Sequence, residues 1–180
     1  MYLIVWLGNP WTEYEKTRHN LGFIFLDSFR KENNFSDFKF ESKFKGKVSE
    51  GAFLGEKTIL LKPETYMNLS GESIKRVTDF YKIPKENLIV IFDDISMDFW
   101  KIRFRPSGTA GWHNGLKSII QYFWEEFNRV KFWVGENKSY ETSDWVLSKF
   151  TKQELWEILK LFPNIEQTIS ATFIENRAKK

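Results

Sequence analysis

The sequence predicts an α/β fold: a single domain with one mixed, mostly parallel β-sheet flanked by helices on both faces. Three observations lead there. Unbroken apolar runs at Tyr2–Leu7 and Leu88–Phe92 read as strands covered on both sides, as the central strands of a parallel sheet are. Between such runs lie segments whose apolar residues recur at helical spacing, so strands and helices alternate along the chain. The period-two stretch Lys101–Arg105 and the long Lys39–Phe53 region add antiparallel strands, which makes the sheet mixed.

Taken in order, the Tyr2–Leu7 strand stops at the turn Gly8-Asn9-Pro10. Leu21, Ile24, Phe25 and Phe29 form one face of a helix over Leu21–Lys31. A short strand at Ile59–Leu61 is closed by Pro63, and Ile74, Val77, Phe80 and Tyr81 share the face of a helix that ends before Pro84. Asp93-Asp94 bounds the Leu88–Phe92 strand. Lys101, Arg103 and Arg105 then face one way, and Ile102 and Phe104 the other. Gly115–Phe123 reads as a helix and Val130–Val134 as a strand. Thr151 and Glu154 make a capping box for a helix through Leu161, where Pro163 ends or kinks it. No repeat or low-complexity linker divides residues 1–180, so one domain is expected.

Composition removes several kinds of chemistry. The absence of cysteine excludes disulfides, a thiol nucleophile and Cys-ligated metal centres, and two histidines exclude a three-histidine site. The charge balance, 27 basic against 24 acidic residues, is too even to identify a nucleic-acid partner by itself. No apolar run approaches the ~20 residues that span a bilayer, and the start of the chain lacks the pattern of a signal peptide. A cytoplasmic protein with no membrane partner is expected.

The familiar catalytic signatures GxSxG, GxGxxG and HExxH are missing. Gly111–Ser118 approaches a phosphate loop, but its spacing is one residue short and Leu116 separates glycine from lysine. What remains is a set of polar residues at strand and helix ends, where α/β sheets gather their sites. Asn9 follows the first strand, and Asp93 follows Leu88–Phe92. His19, Asn68, His113 and Asn114 precede helices. An imidazole held by a carboxylate can activate water, and Asn amides can fix a carbonyl. Each residue also has a plainer reading as a cap or turn residue. Lys101, Arg103 and Arg105, with Lys117, Arg129 and Lys131, form either a solvated strand face or a surface for phosphates.

At this point the motifs become recognisable. Leu7-Gly-Asn-Pro10 with Glu13-Tyr14 and Thr17-Arg-His-Asn20 resembles the opening motif of bacterial peptidyl-tRNA hydrolases. Lys62-Pro-Glu-Thr-Tyr-Met-Asn-Leu-Ser-Gly71 is similar to their second motif. Asp93-Asp94, Lys101–Arg105 and His113-Asn-Gly-Leu-Lys-Ser118 are similar to the third. Arg129-Val-Lys-Phe132 and Asp144–Phe150 match two further segments, all in the family's order.

The resemblance implies an esterase that frees tRNA from peptidyl-tRNA without metal or cofactor, acting as a monomer with no obligate protein partner. His19 would activate water and Asp93 would orient it. Asn9 would separate N-blocked from free aminoacyl esters, and Tyr14, Tyr66, Asn68 and Asn114 would line the cleft. Lys101, Arg103, Arg105, Lys117, Arg129 and Lys131 would meet tRNA phosphates. The alternatives are an impaired homologue that binds tRNA without turnover and an unrelated nucleotide binder.

The chain departs from the family pattern where glycine is expected. Trp6, Trp11, Trp100, Trp112, Trp124 and Trp133 stand there instead. Each such exchange would cost about 1–3 kcal/mol if the site were overpacked. Either the cleft is rebuilt, or a codon that the source reads as glycine is written here as tryptophan.

Overall fold

Both faces of β1 (Tyr2–Trp6) are buried, and its side chains alternate between two cores. Tyr2, Ile4 and Trp6 pack with Phe25 and Phe29 of α1 (Leu21–Glu32) and with Ile165, Ile169 and Phe173 of α6 (Phe162–Ala178). Leu3 and Val5 pack against Ile74 and Val77 of α2 (Ser70–Tyr81) and Leu116 and Ile119 of α3 (Asn114–Phe123). A strand between two helical layers has no solvated side, so its run is apolar throughout. Each fully buried Leu, Ile or Phe contributes roughly 1.5–3 kcal/mol. The structure is a computed structural model that describes residues 1–95, 101–135 and 139–178, the Trp133 side chain excepted.

Among the described residues, seven strands lie in the order β2-β3-β4-β1-β5-β7-β6. The remaining strands are β2 (Lys39–Glu41), β3 (Gly46–Phe53), β4 (Glu56–Pro63), β5 (Leu88–Asp94), β6 (Ile102–Arg105) and β7 (Asn128–Trp133). The four central strands, β4, β1, β5 and β7, run parallel. The hairpin of β2 and β3 and the edge strand β6 are antiparallel to their neighbours, which gives the mixed sheet that the sequence predicts. After β4 the chain crosses through α2 to β5 on the other side of β1. This reversal opens a crevice at the carboxyl ends of β1 and β5, where α/β sheets bind ligands.

Several boundaries differ from the sequence reading: β4 spans Glu56–Pro63 where Ile59–Leu61 is expected, and β7 spans Asn128–Trp133 where Val130–Val134 is expected. Asp93 and Asp94 do not follow β5; they are its last residues, because pairing with β7 continues through Asp94 and Trp133. The helix opened by the Thr151–Glu154 capping box, α5 (Lys152–Leu159), stops two residues early. Pro163 lies in the first turn of α6, where its missing N–H breaks no helical hydrogen bond.

The tryptophans fall into different environments. Trp6 is buried, its ring occupying the space where a Cβ on Gly22 would stand, and its Nε1 has no hydrogen-bond partner among the described residues. Trp124 follows α3 with φ 56° and ψ −155°, a region entered almost only by glycine, and its ring is exposed. Trp11 lies over Tyr66, ring centroids 4.6 Å apart. Trp112 borders the site described next. Trp100 and the Trp133 side chain lie outside the described residues.

Candidate active site

Three elements bring the two histidines to one carboxylate. Residues 89, 91 and 93 of β5 point to the α1 side of the sheet, so the alternation that buries Ile89 and Ile91 also aims Asp93 at the turn before α1. His19 sits in that turn. Its Nδ1 lies 2.8 Å from both Asp93 carboxylate oxygens. With Asp93 ionised, Nδ1 carries the proton and donates it, which leaves Nε2 as the free edge of the ring. His113, the N-cap of α3, reaches the same carboxylate beside His19, with Nε2 3.2 Å from Asp93 Oδ1 and the two imidazole rings 5.1 Å apart.

The tautomer of His113 follows from its second nitrogen. Nδ1 accepts the Gly115 backbone N–H at 3.1 Å, so the proton sits on Nε2 and is donated to Asp93. Glycine at 115 permits this approach, since a Cβ there would stand 2.7 Å from Met67 Sδ and 3.0 Å from His113 Cε1. Burial alone would push the Asp93 carboxyl up. The charge and hydrogen bonds of His19 and His113 outweigh it and hold Asp93 well below the ordinary carboxylate range. Burial pushes His113 down, only partly offset by Asp93, so its neutral form is favoured.

His19, Asn9, Met67, Trp112 and Asn114 line a cleft of about 370 Å³, closed on another side by Thr142, Ser143, Val146 and Leu147 in α4 (Thr142–Leu147). Asn9 is held by both its backbone groups: its N–H donates to Asn20 Oδ1 (2.7 Å) and its carbonyl accepts from Asn20 Nδ2 (2.6 Å). Asn68 is exposed in the turn Met67–Leu69, and Tyr66 beside it is exposed. Tyr14 is half-buried, its ring edge-on to Trp11. The cleft thus joins His19, Asn9 and Asn114, while Tyr14, Tyr66 and Asn68 stand on loops outside its lining.

The basic residues divide. Lys101, Arg103 and Arg105 are exposed on or beside edge strand β6, and Lys117 is exposed on α3. Arg103 pairs in register with Lys131, which is partly exposed and bonded to Asp94 at 3.0 Å. Arg129 corrects the sequence expectation. It is buried, and its guanidinium donates to the carbonyls of Thr109 and Glu125, so it fastens the loop before α3 and offers no face to a phosphate.

His113 is the candidate to which sequence reasoning gave no role. The signal was present: it is the chain's only other imidazole, at a helix start beside Asn114. Among the described residues, His19, Asp93 and His113 also form the one group with enough convergent donors for a metal ion, their ligand atoms lying within 4.8 Å of one another. Hydrogen bonding accounts for the arrangement, because each imidazole turns an N–H onto the same carboxylate.

Comparison with known proteins agrees with the motifs. The family model described as peptidyl-tRNA hydrolase matches residues 3–180. The chain is 52% identical over 163 residues to the peptidyl-tRNA hydrolase of Clostridium novyi, covering 90% of this chain and 86% of that one. With the Clostridium perfringens enzyme it shares 47% over 181 positions, covering 100% of this chain and 94% of that one. The crystal structure of peptidyl-tRNA hydrolase from Acinetobacter baumannii superposes with a TM-score of 0.81 at 33% identity, over 96% of this chain and 92% of that one.

Proposed function

The chain belongs to the peptidyl-tRNA hydrolase family, and from that premise we propose that it hydrolyses peptidyl-tRNA with a water molecule activated by His19. The bond broken is the ester between the peptide's terminal carbonyl and the ribose of the tRNA end. The observation that carries the mechanism is the grip of Asp93 on His19 Nδ1, which leaves Nε2 as a base at the cleft.

Nε2 takes a proton as the water oxygen attacks the ester carbonyl. The imidazolium so formed keeps its Nδ1–H on the ionised Asp93, whose charge stabilises it. As the tetrahedral intermediate collapses, Nε2 returns the proton to the departing ribose oxygen. Asn9 and Asn114 supply the amide donors lining the same cleft, suited to the carbonyl oxygen as its charge grows. The clamp of Asn20 on the Asn9 backbone keeps that residue in place, which favours the Asn9 side-chain oxygen as the acceptor that reads the N–H of the N-blocked α-nitrogen. Lys101, Arg103, Arg105 and Lys117 give the tRNA phosphates a sequence-indifferent surface, with Lys131 beside them. Tyr14, Tyr66 and Asn68 stand where an extended peptide or the tRNA end leaves the cleft.

The test compares release of tRNA from N-acetylated and from free aminoacyl-tRNA. Rapid release from the blocked ester with slow release from the free one is expected. Equal rates on both would remove the role given to Asn9, and binding of tRNA with no release from either would leave only the impaired-homologue reading.

A further inference from the structure

Arg18 stands next to His19, and the mechanism above gives it no task. Its side chain is only 3% exposed, a rare state for a guanidinium. Both terminal nitrogens of its guanidinium donate to a segment about 130 residues further along the chain. Nη1 donates to Ser148 Oγ (3.1 Å) and the Lys149 carbonyl (2.8 Å), and Nη2 donates to Glu154 Oε1 (2.5 Å). The guanidinium carbon lies 3.8 Å from the centre of the Trp145 ring and 4.8 Å from that of Phe150. The backbone adds two bonds: Arg18 N–H to the Ser148 carbonyl and Phe150 N–H to the Lys16 carbonyl, both 3.1 Å.

These partners bracket the cleft wall. Trp145 is part of α4, Ser148 and Lys149 follow it directly, and Glu154 is half of the capping box that starts α5. A helix of six residues has too few turns to hold its own position. The turn that carries His19 is thereby bolted, through Arg18, to the helix that closes the cleft.

We propose that Arg18 is a positioning residue, fixing the α4 wall against the His19 turn and so setting how tightly the N-acylated aminoacyl end is held. This rests on the hydrolase reading above. The chemistry suits arginine alone, since one planar group forks onto three acceptors while stacking on two rings. Lysine keeps the charge but supplies neither the fork nor the plane. Glu154 serves both sides of the joint, with Oε2 accepting the Thr151 N–H (2.7 Å) while Oε1 accepts from Arg18.

Steady-state hydrolysis of N-acetyl-aminoacyl-tRNA tests this on the parent, Arg18→Lys, Arg18→Met and Glu154→Gln, each measured well below its melting temperature. A loosened wall raises KM by about 10-fold in both Arg18 variants, with kcat within about 3-fold of the parent and no rescue by lysine. Glu154→Gln gives a smaller rise in KM. A parental KM in Arg18→Lys, or a fall in kcat at unchanged KM, overturns the proposal. Should neither Arg18 variant fold, a parental KM in Glu154→Gln overturns it, and a raised one upholds it. Absence of turnover in the parent would instead overturn the hydrolase reading, and this inference with it.

Discussion

Nδ1 of His19 lies 2.8 Å from each oxygen of the Asp93 carboxylate, while His113, its ring 5.1 Å from that of His19, donates to the same carboxylate at 3.2 Å. Asp93 is therefore charged, buried and fully engaged, and it fixes which nitrogen of His19 faces the substrate. Asp93→Asn removes the charge and lets the imidazole take the other tautomer. Turnover is expected to fall by about 10²–10⁴-fold with little change in KM, measured on N-acetyl-aminoacyl-tRNA. A variant within a few fold of the parent would mean that Asp93 does not orient the base.

His113 makes stability sensitive to mild acid. Burial lowers its pKa, against the opposing pull of Asp93 and, more weakly, Asp94, while His19 adds to the lowering. Below the unfolded value, about 6.5, the unfolded chain binds a proton that the folded protein refuses, so this contribution to stability is lost as the pH falls. Asp93 acts in the same direction only below about 3.9, because its folded pKa is depressed. His113→Gln is therefore expected to flatten the loss of stability between pH 7 and pH 5, read from urea midpoints. An unchanged pH slope would contradict the assignment.

Arg103 and Arg129, two register pairs apart on β6 and β7, should behave differently. Arg103 is exposed, and Arg103→Ala is expected to lower tRNA affinity and reduce the salt slope of log K by about 1. Arg129 is buried with two carbonyl partners, and burial pushes its pKa down to about 10. Arg129→Met should lower stability by about 1–3 kcal/mol and leave the salt slope unchanged. Salt titrations of tRNA binding beside thermal melts distinguish the two.

Trp124 has a glycine's backbone. With φ 56°, ψ −155° and an exposed ring, Trp124→Gly removes strain without opening a cavity. An increase in stability of about 1–3 kcal/mol is expected, measured by denaturant unfolding. The codon reading is checked on peptides of the native protein, where tryptophan at positions 6, 112 and 133 would sink it.

Much of this was legible in the sequence because strand ends and turns carry their own chemistry. Asn9 and Asp93 stood out as polar residues closing apolar runs and His19 as one preceding a helix, and the alternation along β5 that aims Asp93 follows from Ile89 and Ile91. Other features needed the third dimension. Arg129 and Lys131 share a strand face by period, yet Thr109 and Glu125 cover one and not the other. Arg18 gave no local sign, because its partners at Ser148, Lys149 and Glu154 are distant in sequence. The N-cap role of His113 concealed its bond to Asp93, since one ring serves both through different nitrogens.

The most direct test of the central claim sets His19→Ala beside the parent, measuring tRNA release from N-acetyl-aminoacyl-tRNA and tRNA affinity in the same buffer. The account predicts release by the parent, a loss of about 10²–10⁴-fold or more in the variant, and affinities within a few fold of each other. Full activity in the variant would contradict the assignment of His19 as the base.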